Sequence, residues 1–474
     1  MTQTQQKQGR IAAIFALIKQ SLQGKEIDYT TGSIRRSVIL LAIPMMLEMM
    51  MESVFALVDL YFVGHLEDSS YAIQAVGLTE SVLTITYSLA VGMSMAATAI
   101  VARRIGEKNP EAAGKAGIQA ILIAVGITLL LSIVGYVFAT DILILMGASS
   151  DAAAYGTNFM RIMMGSSIFI MLLFLINGIF RGAGNAAIAM KSLWIANICN
   201  IILCPIFING WGPIPAFGLE GAAIATTIGR GIGVFYQLYH LFNVGNTLKI
   251  TVAHLKPDFK QMEAIIVVAA PGILQFVIAS CSWIFLAHLV ATTGGDHGSA
   301  GYQTALRLMM FFILPAWGLS NAVATLVGQN LGAGQIERAE ESVLKTAKYN
   351  VIFMVIITIL TLVGATVFVS FFTDDILVQE IAVRAIRIMS LGYIFYGIGM
   401  VLINTFNGAG DTWTPTYINF FGFWLFQIPL AYVLANYFNM KEDGVFIAIP
   451  VAETAITIAG YILFKKGKWK RIQV

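Results

Sequence analysis

"FRGAGN" occupies Phe180–Asn185 and "FNGAGD" occupies Phe406–Asp411. The two hexapeptides stand 226 positions apart, and residues far from either keep the same spacing. Gly92 meets Gly318, Ser94 meets Ser320 and Gly106 meets Gly332. Arg161–Met163 and Arg387–Met389 both read "RIM", Phe169 meets Phe395, and Gly218 meets Gly444. Pro44 pairs with Pro271 at 227 and Pro205 with Pro429 at 224. One hexapeptide can recur by chance, whereas register held over most of a chain marks an internal duplication.

Composition says what the duplicated unit is made of. Of 474 residues, 58% are hydrophobic and 12% charged, with a mean hydropathy of +0.79. A soluble chain carries about twice that charged fraction. Stretches of the ~20 apolar residues that a spanning helix needs follow one another. They predict spans at 34–64, 72–102, 113–140, 153–180, 188–209, 218–243, 261–292, 299–330, 340–372, 376–406, 412–438 and 444–464. The expected fold class is an all-α polytopic membrane protein of twelve transmembrane helices. Six spans per half send both halves through the membrane in the same sense, as two parallel repeats around a central cavity. The N-lobe is 34–243 and the C-lobe 261–464, joined by a polar, basic linker over 244–260. Residues 1–33 form an N-terminal segment with an expected interfacial amphipathic helix near 10–22, and 465–474 form a basic tail.

Lys and Arg set the orientation. With both termini cytoplasmic, most of the 29 basic residues fall on the inner side. The outer loops hold Lys441 and a series of acids that includes Glu67, Asp68, Asp141 and Asp374. The positive-inside rule therefore predicts cytoplasmic termini, with the plasma (inner) membrane as the expected location. Cys199, Cys204 and Cys281 lie in apolar segments and form no disulfide or zinc pattern. No G-x-x-x-x-G-K-[ST], H-E-x-x-H or G-x-S-x-G occurs. The expectation is a protein that is not an enzyme, with no catalytic residues, no cofactor and no nucleic-acid partner. The Gly-Ala-Gly of each hexapeptide predicts a tight turn with a positive φ after the fourth span of each half.

Acids inside spans carry the functional signal, because a bilayer makes them costly. Glu48, Glu52 and Asp59 are spaced 4 and 7, so they share one face of span 1. That stripe serves either coupling or plain hydrogen bonding between helices. Glu80 lies early in span 2 at a depth similar to Asp59, and Glu453 follows Pro450 in span 12. Arg230 and Arg307 lack repeat-related mates, and each can pair with an acid or bind an anionic group. Glu48, Gln275, Trp283, Arg307 and Glu453 are the substrate-cavity candidates, Gln275 and Trp283 by position alone. Met45, Met46, Met49, Met50 and Met51, with Met309, Met310, Phe311 and Phe312, could form adaptable drug-binding walls or simply pack.

Four further stretches give the chain a family likeness. They are "VDLYFVGHL" (Val58–Leu66), "ARRIGEKNPEAA" (Ala102–Ala113), "NICNIILCP" (Asn197–Pro205) and "GLEGAAIATT" (Gly218–Thr227). Together with the hexapeptide pair, over about 34–465, the sequence resembles the multidrug and toxic compound extrusion (MATE) family. The resemblance implies a V-shaped pair of six-helix lobes. It also implies export of amphipathic, often cationic organic compounds, driven by inward H⁺ or Na⁺. Asp59 matches the family's cation- or proton-binding aspartate, Asn200 its span-5 asparagine and Thr226 its span-6 threonine. Cys204 stands where the family places an aspartate. That exchange removes a hard oxygen ligand suited to Na⁺ and puts a neutral thiol there. Only a weak Na⁺ site at Asp59 and Asn200 is implied, and proton coupling through Asp59, helped by Glu52 and Glu80, is favoured. The C-lobe acids of the NorM-like branch are absent, with Tyr396 and the apolar surroundings of Ala279 near those positions, so the resemblance leans to the DinF-like side. A rival reading, a lipid-linked precursor flippase, would need a strongly cationic cavity. A receptor or scaffold would need no buried acid face. The expected partners are small organic molecules and the lipid bilayer, and one chain holds both lobes, so a monomer forms the whole pathway.

Overall fold

The computed structural model describes residues 15–24, 27–64, 69–243 and 248–472, apart from the side chains of 59–61, 63–64, 69–70 and 73. Asp59 falls on helix, but its side chain lies outside the described residues, as do Glu67 and Asp68.

Twelve membrane segments follow the expected order. The N-terminal half contains α1 (Ile34–Gly64), α2 (Ser69–Gly106), α3 (Pro110–Val137) and the short α4 (Ala139–Leu145). It continues through α5 (Ser150–Gly165), α6 (Ser167–Gly182), α7 (Ala186–Asn209) and α8 (Leu219–Asn243). Helices α5 and α6 run on through Ser166 as one span, Ser150–Gly182. The C-terminal half opens with α9 (Phe259–Gly332), whose 74 residues would reach about 110 Å if straight, far more than one bilayer crossing. It is two spans folded at Gly295, where φ is 64° and ψ −158°. The expected loop between 292 and 299 is absent, and a single glycine makes the reversal. Then come α10 (Ile336–Ser370), α11 (Ile376–Ser390) and α12 (Tyr393–Ala409), the last two forming one span bent by 54°. The eleventh span starts as α13 (Trp413–Asn419), passes through π-helical Phe420–Gln427 and α14 (Ile428–Tyr432), and ends in π-helical Val433–Tyr437. The twelfth is α15 (Glu442–Lys466). A helical stretch over 15–23 precedes α1, and the linker carries a short 3₁₀ turn, Val252–Leu255.

Each half has its own apolar core. In the first half Met93, Ala97, Met171, Leu175 and Ile179 pack together. In the second, Leu286, Tyr302, Phe446 and Ile449 do so. Large apolar side chains also face outward, among them Leu130 at 66% and Val363 at 80% exposure, as expected where lipid is the solvent.

The hexapeptides are one device used twice. Their second glycines, Gly184 and Gly410, have φ of 86° and 87°, the left-handed conformation that ends a helix without a Cβ clash. Their first glycines allow close helix packing. A Cβ at Gly182 would lie 2.7 Å from the Thr98 carbonyl oxygen, and one at Gly408 would lie 2.4 Å from Ala324.

The halves meet along a seam at the end that bears the basic loops. A Cβ on Gly106 would stand 2.0 Å from the Gln329 carbonyl oxygen, and one on Gly332 would stand 2.2 Å from that of Arg103. The same contact is thus made in both directions, since Arg103 and Gln329 are also 226 apart. Gln329 Nε2 donates to the Gly182 carbonyl at 3.0 Å, and Thr325 Oγ1 to that of Arg181 at 2.9 Å.

Both ends of the described chain strap this seam. Arg338 of the second half donates to the carbonyls of Tyr29, Thr31 and Gly32. Arg103 of the first half donates to the carbonyl of Ile472. Lys108 Nζ holds Asp28 Oδ2 at 2.8 Å. Partial burial alone would raise the Asp28 carboxyl, but hydrogen bonds from Lys108 and Thr30 outweigh it and hold the group below its ordinary 3.8. The grip is therefore complete above about pH 4 and is lost as pH falls through the depressed value. Amide exchange over 27–33, corrected for intrinsic rate, is expected to be faster at pH 3 than at pH 6. Equal protection at both would remove Asp28 from the strap's account.

Candidate functional site

The acid stripe of α1 faces protein. Glu48 is 1% exposed. Its Oε1 accepts from Asn177 Nδ2 at 3.0 Å and lies 3.4 Å from Arg181 Nη1. Arg181 Nη2 donates onward to Ser94 Oγ at 2.9 Å. Asn177 Oδ1 accepts from Ser192 and Gln237, and Gln237 also donates to the Leu173 carbonyl. Five helices thus meet in one buried network. Arg181 closes α6 with its side chain turned into the lobe at 11% exposure. Asn177 lies one turn before it on the same face.

One turn further along α1, Glu52 has a separate set of partners. Asn197 Nδ2 donates to Glu52 Oε2 at 3.0 Å, and Arg230 Nη2 lies 4.0 Å from Oε1. Arg230 is buried, donates to the Tyr87 hydroxyl at 2.9 Å, and lies over the rings of Phe55 and Tyr87. Of the two readings open for Arg230, the structure shows the ion pair.

The second half repeats the Glu48 site in different chemistry. At the duplication offsets Glu48 corresponds to Gln275 and Arg181 to Asn407. Gln275 and Asn407 hydrogen-bond each other through their amides at 3.1 and 3.3 Å. Gln275 also donates to the Thr412 carbonyl. An ion pair in one lobe is an amide pair in the other.

Between the lobes lie two chambers. One, of ≈ 220 Å³, is lined by Met49, Glu52, Tyr87, Ser94 and Arg181 from the first half. The other, of ≈ 290 Å³, is lined by Gln275, Trp283, Tyr396, Asn419 and Glu453 from the second half. Met95, Phe276, Leu314, Trp317 and Asn404 border both, so the two chambers are neighbours that share a wall. Of the methionine and aromatic candidates, Met45, Met309 and Phe312 are buried and Met50 and Phe311 are exposed, whereas Met49 and Met310 line the chambers.

The remaining candidates separate. Asn200 Nδ2 donates to Thr226 Oγ1 at 2.8 Å, so spans 5 and 6 do bring these two together. Cys204, one turn on, is fully buried among apolar side chains including Leu83 and Ile208. Glu80 is exposed on α2 and borders neither chamber. Arg307 is likewise exposed and borders neither. Sequence reasoning missed Asn177, Asn197 and Asn419. Asn177 and Arg181 share a polar face on an otherwise apolar span, and that spacing was the available signal for them. Asn197 lies one turn before Asn200 in the stretch Asn197–Pro205, and that spacing was its available signal, whereas Asn419 is followed by the apolar run Phe420–Phe426.

Comparison with known proteins agrees with this architecture. The sequence profile of the MatE family matches twice, over residues 44–206 and 271–433. The Thermotoga maritima protein described as probable multidrug resistance protein NorM is 24% identical over 457 residues, covering 96% of this chain and 97% of its own. The multidrug export protein MepA of Staphylococcus haemolyticus is 24% identical over 437 residues, covering 92% and 94%. A crystal structure of MATE in complex with MaD3S superposes with a TM-score of 0.88 at 25% identity, covering 94% of this chain and 99% of that one. An outward-facing multidrug resistance MATE transporter of the MOP superfamily gives 0.89 at 24% identity, with coverage of 94% and 99%, a likeness of fold. With the two profile matches together taking in more than half of its length, the chain belongs to the MatE family.

Proposed function

We propose that this protein is a secondary active exporter of amphipathic, cationic organic compounds, acting by antiport with H⁺ or Na⁺ and by alternating access between its lobes. The observation that carries the reading is the pair of neighbouring chambers between duplicated halves, with the seam at Gly106 and Gly332 closed at one end. Rocking of parallel repeats about a central cavity is the usual route to alternating access. In this reading the basic end is cytoplasmic, the cavity faces outward, and the protein lies in the plasma (inner) membrane as a working monomer. No cofactor takes part beyond the coupling ion. The relatives described as multidrug resistance and export proteins support the drug substrates.

Glu52 is the chamber acid best placed to couple. It is held by Asn197, lies 4.0 Å from Arg230 and borders the cavity. A proton on Glu52 would dissolve its attraction to Arg230 and loosen α1 from α8. Asp59, Asn200 and Thr226 extend the same coupling region by the family match. Cys204, packed in apolar surroundings, favours H⁺ over Na⁺ as the coupling ion.

Vesicle flux of a fluorescent organic cation tests the proposal, with ΔpH and Na⁺ gradients imposed separately. ΔpH-driven export is expected in the wild type, with a loss of about a hundred-fold or more in Glu52→Gln and in Asp59→Asn, the order of a positioned proton-transfer group's contribution. Export driven by Na⁺ alone would reassign the ion. Failure of either gradient to move any member of a broad cation panel would reject secondary efflux.

A further inference from the structure

The second chamber holds an acid that none of the networks above uses. Glu453 sits midway along α15, about 16 Å from its start at 1.5 Å per residue. It is 6% exposed, and its Oε1 is buried with no hydrogen-bond partner. Asn419, 7% exposed at the end of α13, likewise leaves Oδ1 unpaired. Both residues line the ≈ 290 Å³ chamber. No Lys, Arg or His lines that chamber. The first chamber differs, because Arg181 and Glu52 both stand in its wall.

Two buried acceptors without donors are a costly arrangement unless something else supplies positive charge or a donor. The walls narrow the choice. Trp283, Trp317, Tyr396 and Phe423 present aromatic surface, and aromatic faces attract cations, the more so away from water. A small inorganic cation would want about six oxygen ligands, whereas Glu453 and Asn419 are the two lining residues that leave a buried oxygen unpaired. A lipophilic organic cation meets both halves of the description, with its charge toward Glu453 and its substituents against the rings. Phe276 and Trp317 stand between this chamber and the first.

We propose that the C-lobe chamber is the seat of the substrate's charged end, a binding site for a monovalent organic cation with aromatic or alkyl substituents, and that Glu453 is the residue that selects its charge. Recognition and coupling are then divided between the lobes. The proposal rests on the export reading for its biological setting, but it is tested by binding alone.

The probes are tetraphenylphosphonium and tetraphenylborate, which share a shape and differ in sign. Binding to the purified full-length protein is read by quenching of Trp283 fluorescence, assigned by its loss in Trp283→Phe. The wild type is expected to bind the cation at least about ten-fold tighter than the anion, a difference of about 1.4 kcal/mol. Glu453→Gln is expected to erase most of that preference, and Glu453→Asp to keep it. If Glu453→Gln does not yield a monodisperse protein, Trp283→Ala takes its place. Its cation affinity, read by equilibrium dialysis, is expected to fall several-fold while Glu453→Asp stays near wild type, and unchanged affinity in Trp283→Ala overturns the site. No cation preference in the wild type overturns the proposal, as does full preference in Glu453→Gln. Intact cation binding with loss of ΔpH-driven flux in Glu453→Gln would make the residue a proton carrier and also overturn it. Binding as expected without any gradient-driven flux would sink the export reading and leave the site standing.

Discussion

Arg181→Asn is expected to destabilise the protein by about 3–5 kcal/mol, the range for removing one member of a buried ion pair. Glu48 is 1% exposed, and one of its carboxylate oxygens already lacks a partner. Without Arg181 only Asn177 remains to satisfy it. Adding Glu48→Gln should recover most of the loss. That double variant writes the second lobe's own pair, Gln275 with Asn407, into the first lobe. Replacing both members of a buried pair is often near neutral where removing one is not. Thermal unfolding in one detergent ranks the three proteins, with wild type and double variant close together and Arg181→Asn well below. A double variant as unstable as the single would mean that the damage comes from lost packing and not from a stranded charge.

Gly106→Val is expected to be the most disruptive single change at the seam. Its Cβ would have to occupy a position 2.0 Å from the Gln329 carbonyl oxygen. That neighbour is backbone in a helix and cannot rotate away, so the lobes must part. Overpacking of this kind costs at least ~2 kcal/mol, enough to shift the balance between closed and open seam about thirty-fold. Ala102 is fully buried at the seam. A cysteine placed there, in a background without Cys199, Cys204 and Cys281, should react slowly with a water-soluble maleimide. Adding Gly106→Val should speed that reaction by an order of magnitude or more and abolish transport. Gly332→Val should do the same through Arg103. An unreactive Ala102→Cys beside Gly106→Val would show that the seam accommodates the extra methyl groups.

Much of the architecture could be read without coordinates. Register at 226 announced the duplication that the two profile matches repeat, and the expected spans follow the order of the helical segments. The glycines at 184 and 410 carried their turn signal openly. Span 7 to span 8 was read less well, because Gly294 and Gly295 look like loop residues and only the backbone angles show one of them reversing a helix. The π-helical course of Phe420–Gln427 had no residue pattern to announce it. At the site, period alone put Glu48 and Glu52 on one face. Their partners were hidden because Asn177, Arg181, Asn197 and Arg230 come from spans more than a hundred residues away. Arg181 was hidden further by sitting at a helix end, where a basic residue is expected to serve topology. The offset held one unused clue: 48 with 275 and 181 with 407 are corresponding pairs, and the exchange of an acid and a base for two amides marks them as touching.

That exchange makes the two lobes electrically unlike although their backbones repeat. An amide pair has a single charge state, so Gln275 and Asn407 are indifferent to the voltage across the membrane. Glu48 and Arg181 sum to zero only while the acid is ionised. A proton on Glu48 leaves a bare guanidinium in the field, where a full crossing is worth about 2.3 kcal/mol per charge at 100 mV. In the alternating-access cycle proposed above, membrane potential would then act on this pair in one lobe and not on its counterpart in the other, and the two lobes' movements would differ in energy.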